Sequence, residues 1–279
     1  GGSTTAPTPL AAIDPTEGVP MIDQTMVLRT RWARRETTTN GWLVVPNPFT
    51  AEIASRAGFD SLCIDMQHGL IDEGTVTDLL TATTAARVPT LVRVPGHRPE
   101  TMMRVLDAGA AGVIVPLVES PDEALQAARA CRYPPAGRRS FGPVRAGLVD
   151  GADYHERADA AVLVFVMIET KRALDDLDAI LDTPGIDGAY IGPADLSLAL
   201  GYPPETDSVR APHQDAVRRV VEACHARGLV AGLHTAQPAF AAGAAAWGMD
   251  FVTIATDASA MRQELARRVA AFRDLVPRP

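Results

Sequence analysis

The sequence predicts a single-domain (β/α)8 barrel. Eight short apolar runs recur along the chain, and most are continuous rather than alternating, as strands covered on both faces should be. Stretches of helical periodicity separate them, and strand followed by helix, eight times over, is the pattern of a closed parallel sheet. The rival is a doubly wound open sheet. Neither GxGxxG nor GxxxxGK followed by Ser or Thr occurs, which removes the usual nucleotide signatures of that architecture.

In chain order, residues 1–25 are rich in Gly, Pro, Ser and Thr and read as a flexible tail, with Gly1-Gly2-Ser3 resembling a cloning scar. The barrel is expected over 26–279. Its first strand is "GWLVVP" (41–46), followed by the helical "AEIASRAGF" (51–59). "SLCIDM" (61–66) is the second strand. "TLVRVP" (90–95) precedes the helical "PETMMRVLDAGA", and "GVIVPLV" (112–118) precedes "PDEALQAARAC". Residues 133–154 form the longest irregular stretch, and loops of that length are often lids. "VLVFVMI" (162–168) leads to "RALDDLDAILD", and "GAYIGP" (188–193) is the sixth strand. "HQDAVRRVVEACHARG" runs into "LVAGLH" (229–234), and "FVTIAT" (251–256) into the closing helix "SAMRQELARRVAAFRDL".

Composition narrows the function. Of 279 residues, 47% are hydrophobic, enough for one large core. The net charge is −8 and the basic residues form no block, so nucleic acid is not an expected partner. No apolar run approaches the ~20 residues that span a bilayer. Cys63, Cys131 and Cys224 form no CxxC pair and read as buried thiols of a cytoplasmic protein. The chain has a single lysine, Lys171.

In a (β/α)8 barrel the chemistry sits at the carboxyl ends of the strands. There the sequence places Gln67 and His68 after strand two, Arg93 in strand three, Glu169 after strand five, Asp195 after strand six and His234 at the end of strand seven. Each has a plain structural reading as a cap, an ion-pair partner or a solvated polar group. Together on one rim they point to chemistry. Glu169 and Asp195 are two hard oxygen ligands, suited to Mg²⁺ or Mn²⁺, with Co²⁺ or Zn²⁺ as further candidates. Arg93 offers a planar fork for a carboxylate, and His68 a proton-transfer group near neutral pH. A cation, a clamp and a base suit a 2-oxo acid whose developing enolate needs stabilising. The alternative, a Schiff base, would rest on Lys171 alone, which has no neighbours arranged to lower its pKa.

With "GFDSLCIDMQHG", "LVRVP", "LDAGAAGVIVPLVES", "RYPPAGRRSFG", "MIET" and "GIDGAYIGPADLSLALG" in order, nearly the whole chain after the tail resembles the HpcH/HpaI aldolase/citrate lyase family of metal-dependent pyruvate aldolases. The resemblance implies that Glu169 and Asp195 are the metal ligands and that Arg93 holds the 2-oxo acid and stabilises its enolate. It implies that His68 moves the proton on the substrate hydroxyl, with Asp107 as its carboxylate partner, and that Gly192, Pro193 and Ala194 receive the substrate carboxylate. Asp107 precedes strand four, on the opposite face of its own barrel, so it can meet a His68 only across subunits. That fits the family's hexamers, which the resemblance implies are built from dimers with exchanged C-terminal helices. Gln67 stands where the family often has Glu, and Met167 where it often has Gln.

The expected activity is cleavage and formation of 4-hydroxy-2-oxo acids, with a small 2-oxo acid and an aldehyde as partners. Three alternatives remain. One is oxaloacetate decarboxylation or bond formation of the macrophomate synthase type. Another is a CoA-ester lyase, for which Arg138, Arg139 and Arg145 would have to meet the CoA phosphates. The last is a non-catalytic 2-oxo acid binder, favoured only by Gln67 and Met167. For His234, contact with the distal part of the substrate and exposure to water stay equally open.

Overall fold

The computed structural model describes residues 21–276. Helix α1 (Met21–Ala33) precedes β1 (Thr38–Leu43), and α2 (Pro48–Ser55) leads to β2 (Ser61–Asp65). Next come α3 (Glu73–Ala85), β3 (Thr90–Arg93), α4 (Pro99–Asp107) and β4 (Gly112–Val115). Three helices, α5 (Pro121–Cys131), α6 (Val144–Asp150) and α7 (Tyr154–Ala161), precede β5 (Leu163–Ile168). Then follow α8 (Lys171–Asp175), α9 (Leu177–Leu181), β6 (Gly188–Ile191), α10 (Pro193–Ala199) and α11 (Ala211–His225). The chain ends with β7 (Val230–His234), α12 (Pro238–Ala246), β8 (Phe251–Thr256) and α13 (Asp257–Leu275). The strands pair in sequence order, each parallel to the next, and β8 pairs with β1 to close the barrel.

The two faces of the strands build two cores. Outward residues such as Leu62, Ile64, Val92, Val113 and Val166 pack under the helices. Inward residues Trp42, Cys63, Leu91, Ile114, Phe165, Met167, Tyr190 and Phe251 fill the barrel. Phe165 stacks on Phe251 at 5.5 Å and Trp42 on Tyr190 at 5.6 Å, so large rings occupy the axis. From α1, Leu28 and Trp32 join this inner core, with Trp32 edge-on to Phe165 and Phe251. Its indole N–H donates to Thr38, the first residue of β1. Helix α1 therefore closes the amino-terminal mouth and leaves the other mouth for chemistry.

Three expectations need correction. Residues 21–25, assigned to the tail, form the first turns of α1, with Met21, Ile22 and Thr25 buried; the rest of the tail, 1–20, lies outside the described residues. Strand β1 starts at Thr38, ahead of the apolar run, because its inward positions are satisfied by hydrogen bonds: Asn40 donates to Thr253 and accepts from Ser61. The 133–154 stretch does not cover the carboxyl ends of its own strands. Helix α5 carries the chain back to the amino-terminal end, where Arg145 donates to the Ala108 carbonyl before β4 and Arg139 lies buried over Tyr133. The three cysteines are free and buried. Among the described residues no helix is long and apolar enough to cross a membrane.

Candidate active site

Side chains alternate across a strand, so the polar rim continues the inward rows of the barrel core. Two residues beyond Cys63 comes Asp65, beyond Leu91 comes Arg93, beyond Met167 comes Glu169, and His234 stands four beyond the inward-facing Val230. The same parity that fills the barrel with apolar groups thus aims these four into its open mouth.

Asp65, which the sequence reading left without a role, organises one side. It is β3 Arg93's register partner in β2, and its carboxylate takes Arg93 Nε at 2.9 Å and Nη2 at 2.6 Å. Such a two-point grip fixes the plane of the guanidinium. The guanidinium also lies over Trp42, at 5.0 Å, and the Trp42 indole donates to Asp65 at 3.1 Å. Burial works against the Asp65 charge, but the guanidinium more than offsets it and holds the carboxyl below its usual range. Asp65 Oδ1 further accepts the N–H groups of Gln67 and His68, which shapes the turn after β2. Gly69 completes that turn, since a side chain there would collide with the Asp65 carbonyl. The turn leaves His68 exposed at the rim, while Gln67 Oε1 is buried without a hydrogen-bond partner.

Glu169 lies across the mouth and is buried, at 2% exposure. Oε1 accepts the Leu117 N–H at 2.8 Å, presented by a backbone with φ of 53°. Oε2 is buried and has no partner. A buried carboxylate oxygen left unpaired is costly, and burial pushes the Glu169 pKa up to about 7, with Asp195 adding to the rise and Leu117 and Arg93 opposing it. Gly192 caps α10 beside it, where a Cβ would collide with Oε2. Pro193 and Ala194 open the same helix, and Asp195 lies exposed in its first turn. Met167, buried just below, lines this pocket with a thioether.

Among the described residues no group of three or more His, Cys, Asp or Glu side chains gathers as a metal cage. What the site offers is one orphaned, desolvated carboxylate oxygen, electrostatically coupled to a second carboxylate, in a pocket that a glycine keeps clear. Such a pair fits a hard divalent cation whose other positions go to water and ligand oxygens.

Other predicted residues lie elsewhere. Lys171 is 73% exposed on α8 and pairs with Asp175 at 2.8 Å, outside the barrel mouth. Asp107 ends α4 at the opposite face and binds the fully buried Arg139 at 2.8 Å, so within one barrel it does not meet His68. Arg139 and Arg145 are occupied by Asp107, Tyr154, Ala108 and Thr84, which leaves little of the basic patch a CoA ester would need. His234 ends β7 half-buried, edge-on to Trp42 at 4.9 Å, and burial and Arg93 push its pKa down to about 4. Trp42 and the Leu117 N–H were missed along with Asp65. Asp65 alone carried a signal, an acid two residues past a buried inward cysteine.

A family model described as HpcH/HpaI aldolase/citrate lyase matches residues 40–263. The chain is 41% identical over 244 residues to the hydroxypyruvate/pyruvate aldolase of Rhizorhabdus wittichii, covering 88% of this chain and 97% of that protein. It is 36% identical over 255 residues to the 2-keto-3-deoxy-L-rhamnonate aldolase of Salmonella typhi, covering 87% and 91%. Among solved structures, it superposes on an HpcH/HpaI aldolase/citrate lyase family protein from Burkholderia cenocepacia with a TM-score of 0.82 and 33% identity, over 88% and 99% of the two chains.

Proposed function

This chain belongs to the HpcH/HpaI aldolase/citrate lyase family and is a lyase of the aldolase type, and on that premise we propose that it cleaves and forms 4-hydroxy-2-oxo acids with the help of a divalent cation. The observation that carries the reading is Glu169: a buried carboxylate with one oxygen satisfied and the other free, coupled to Asp195 and Arg93.

Glu169 and Asp195 would hold the cation, and Mg²⁺ or Mn²⁺ suits their hard oxygens. When bound it supplies Lewis-acid polarisation of the 2-oxo group. Arg93, pinned through Nε and Nη2, keeps Nη1 for the substrate's oxo oxygen, where charge grows as the enolate forms. Gly192, Pro193 and Ala194 border the place for the substrate carboxylate. In cleavage His68 takes the proton of the C4 hydroxyl, the C3–C4 bond breaks, its electron pair passes into the enolate, and the aldehyde leaves; C3 then takes up a proton. In the reverse addition His68 returns its proton to the new hydroxyl. Gln67 keeps its free carbonyl oxygen in the same turn as a polar contact for water or ligand.

Asp107 is assigned to the His68 of a neighbouring subunit in a hexamer. Apolar Phe141, Val144 and Leu148 are exposed near it, as a face between subunits would require. Helix α13 has no buried residue, and Met261, Leu265, Val269 and Phe272 form an exposed stripe along it. A groove of about 360 Å³, walled by Trp42, Ile53, Phe59 and Met261, lies between α2 and the start of α13. Exchange of α13 between two copies would cover both. Free buried thiols suit a reducing compartment, the cytoplasm.

Pyruvate release from a panel of 4-hydroxy-2-oxo acids, with EDTA and with added Mg²⁺, Mn²⁺ or Co²⁺, tests the reading. Turnover should need the cation and vanish in Glu169→Ala or Asp195→Ala. Activity that survives EDTA and disappears in Lys171→Ala would overturn it. Oxaloacetate turnover with no aldehyde product would move the assignment to decarboxylation.

A further inference from the structure

The reaction above makes no use of His234. Its ring stands edge-on to Trp42 at the end of β7, and Trp42 is itself locked by Arg93 above, Asp65 at its N–H and Tyr190 on its face. Arg93, Trp42 and His234 therefore form one continuous wall of the mouth, from β3 across β1 to β7. Neither nitrogen of the His234 imidazole bonds to another described residue. With its pKa pushed down to about 4, the ring is neutral near pH 7 and carries one donor and one acceptor. It is a poor proton relay there, but a half-buried polar edge without a partner favours a ligand that supplies one.

The position of that ligand atom follows from the anchors. A 2-oxo acid with its oxo oxygen between Arg93 on β3 and Glu169 on β5, and its carboxylate beside Gly192 at α10, turns C3 toward the wall of β7 and β1. His68, after β2, stays on the C4 side. We propose that His234 is a specificity-determining residue that hydrogen-bonds a hydroxyl on C3 and so favours a 3-hydroxylated 2-oxo acid, such as hydroxypyruvate, over pyruvate as the nucleophile. This rests on the aldolase reading. A C3 methyl leaves the imidazole unsatisfied, whereas a C3 hydroxyl pairs with it; one neutral hydrogen bond corresponds to roughly threefold to tenfold in discrimination.

The test compares wild type, His234→Leu and His234→Asn. For pyruvate and hydroxypyruvate, three quantities are measured: solvent-deuterium exchange at C3 by NMR, aldol addition to one common aldehyde, and dissociation constants by calorimetry. In H234L the hydroxypyruvate-to-pyruvate ratio of kcat/KM should fall roughly threefold to tenfold, with hydroxypyruvate binding weakened by a similar factor and pyruvate binding by a smaller one. H234N, which keeps a donor and an acceptor, should restore part of the ratio. The imidazole ¹⁵N resonances of His234 should shift with hydroxypyruvate and much less with pyruvate. Equal losses for both acids, or an unchanged ratio in H234L, would overturn the assignment while leaving the aldolase reading intact. A wild type that neither exchanges C3 protons nor adds either acid to an aldehyde would overturn both.

Discussion

Replacing Glu169 with glutamine removes a charge the cation-free fold holds at a cost. The carboxyl has a pKa of about 7 in the folded chain against 4.5 in the unfolded one, and only 2% of the residue is exposed, so solvent screens it little. The sign follows from proton counting. Between pH 4.5 and about 7 the folded state binds more protons than the unfolded state, so stability falls as pH rises through that window and stays low above it. At about 1.4 kcal/mol per unit, the ionised side chain costs about 3 kcal/mol well above pH 7 and under about 1 kcal/mol at pH 5. The amide of the variant has no such ionisation. In EDTA, at one protein concentration, the stability of Glu169→Gln relative to wild type should therefore rise by about 2–3 kcal/mol between pH 5 and pH 8, measured by urea unfolding at both values. Mn²⁺ should stabilise wild type and not the variant, and its apparent affinity should weaken about tenfold per pH unit below pH 7, because the ligand must first lose its proton. A stability difference that does not change with pH would refute the burial argument, and with it the claim that Oε2 is held ready for a cation.

Gly192→Ala puts a methyl group against Glu169 Oε2 and should weaken Mn²⁺ binding roughly 10- to 100-fold by calorimetry, with turnover falling alongside. Arg93→Lys keeps a positive charge but loses the two-point grip of Asp65; kcat/KM should drop about 100-fold or more, and the variant should remain folded by circular dichroism. Leu265→Asp combined with Phe272→Asp places charges on the exposed stripe of α13 and should lower the oligomeric state in light scattering without unfolding the barrel, since no residue of α13 is buried in its own chain.

The barrel could be read from the chain because two-sided burial writes each strand as a short apolar run. Those runs located the starts of seven strands to within one residue, and β1 was three residues late only because Thr38 and Asn40 satisfy their inward positions with hydrogen bonds. The rim was legible for the same reason: a strand that stays inward-facing past its last apolar residue must put a polar group into the mouth, as at Arg93, Glu169 and His234. What the chain order could not show is who meets whom. The grip of Asp65 on Arg93 depends on the register of β2 with β3, and the free oxygen of Glu169 depends on a backbone N–H donated from after β4 and a missing side chain after β6. The capture of Asp107 by Arg139, and the place of residues 133–154 at the far mouth, follow from helices that return the chain to the amino-terminal end. Local patterning determines which face a residue takes, because that depends on a period of two; partners and pKa values depend on closure of the sheet, which brings together groups far apart in the chain and removes the water between them.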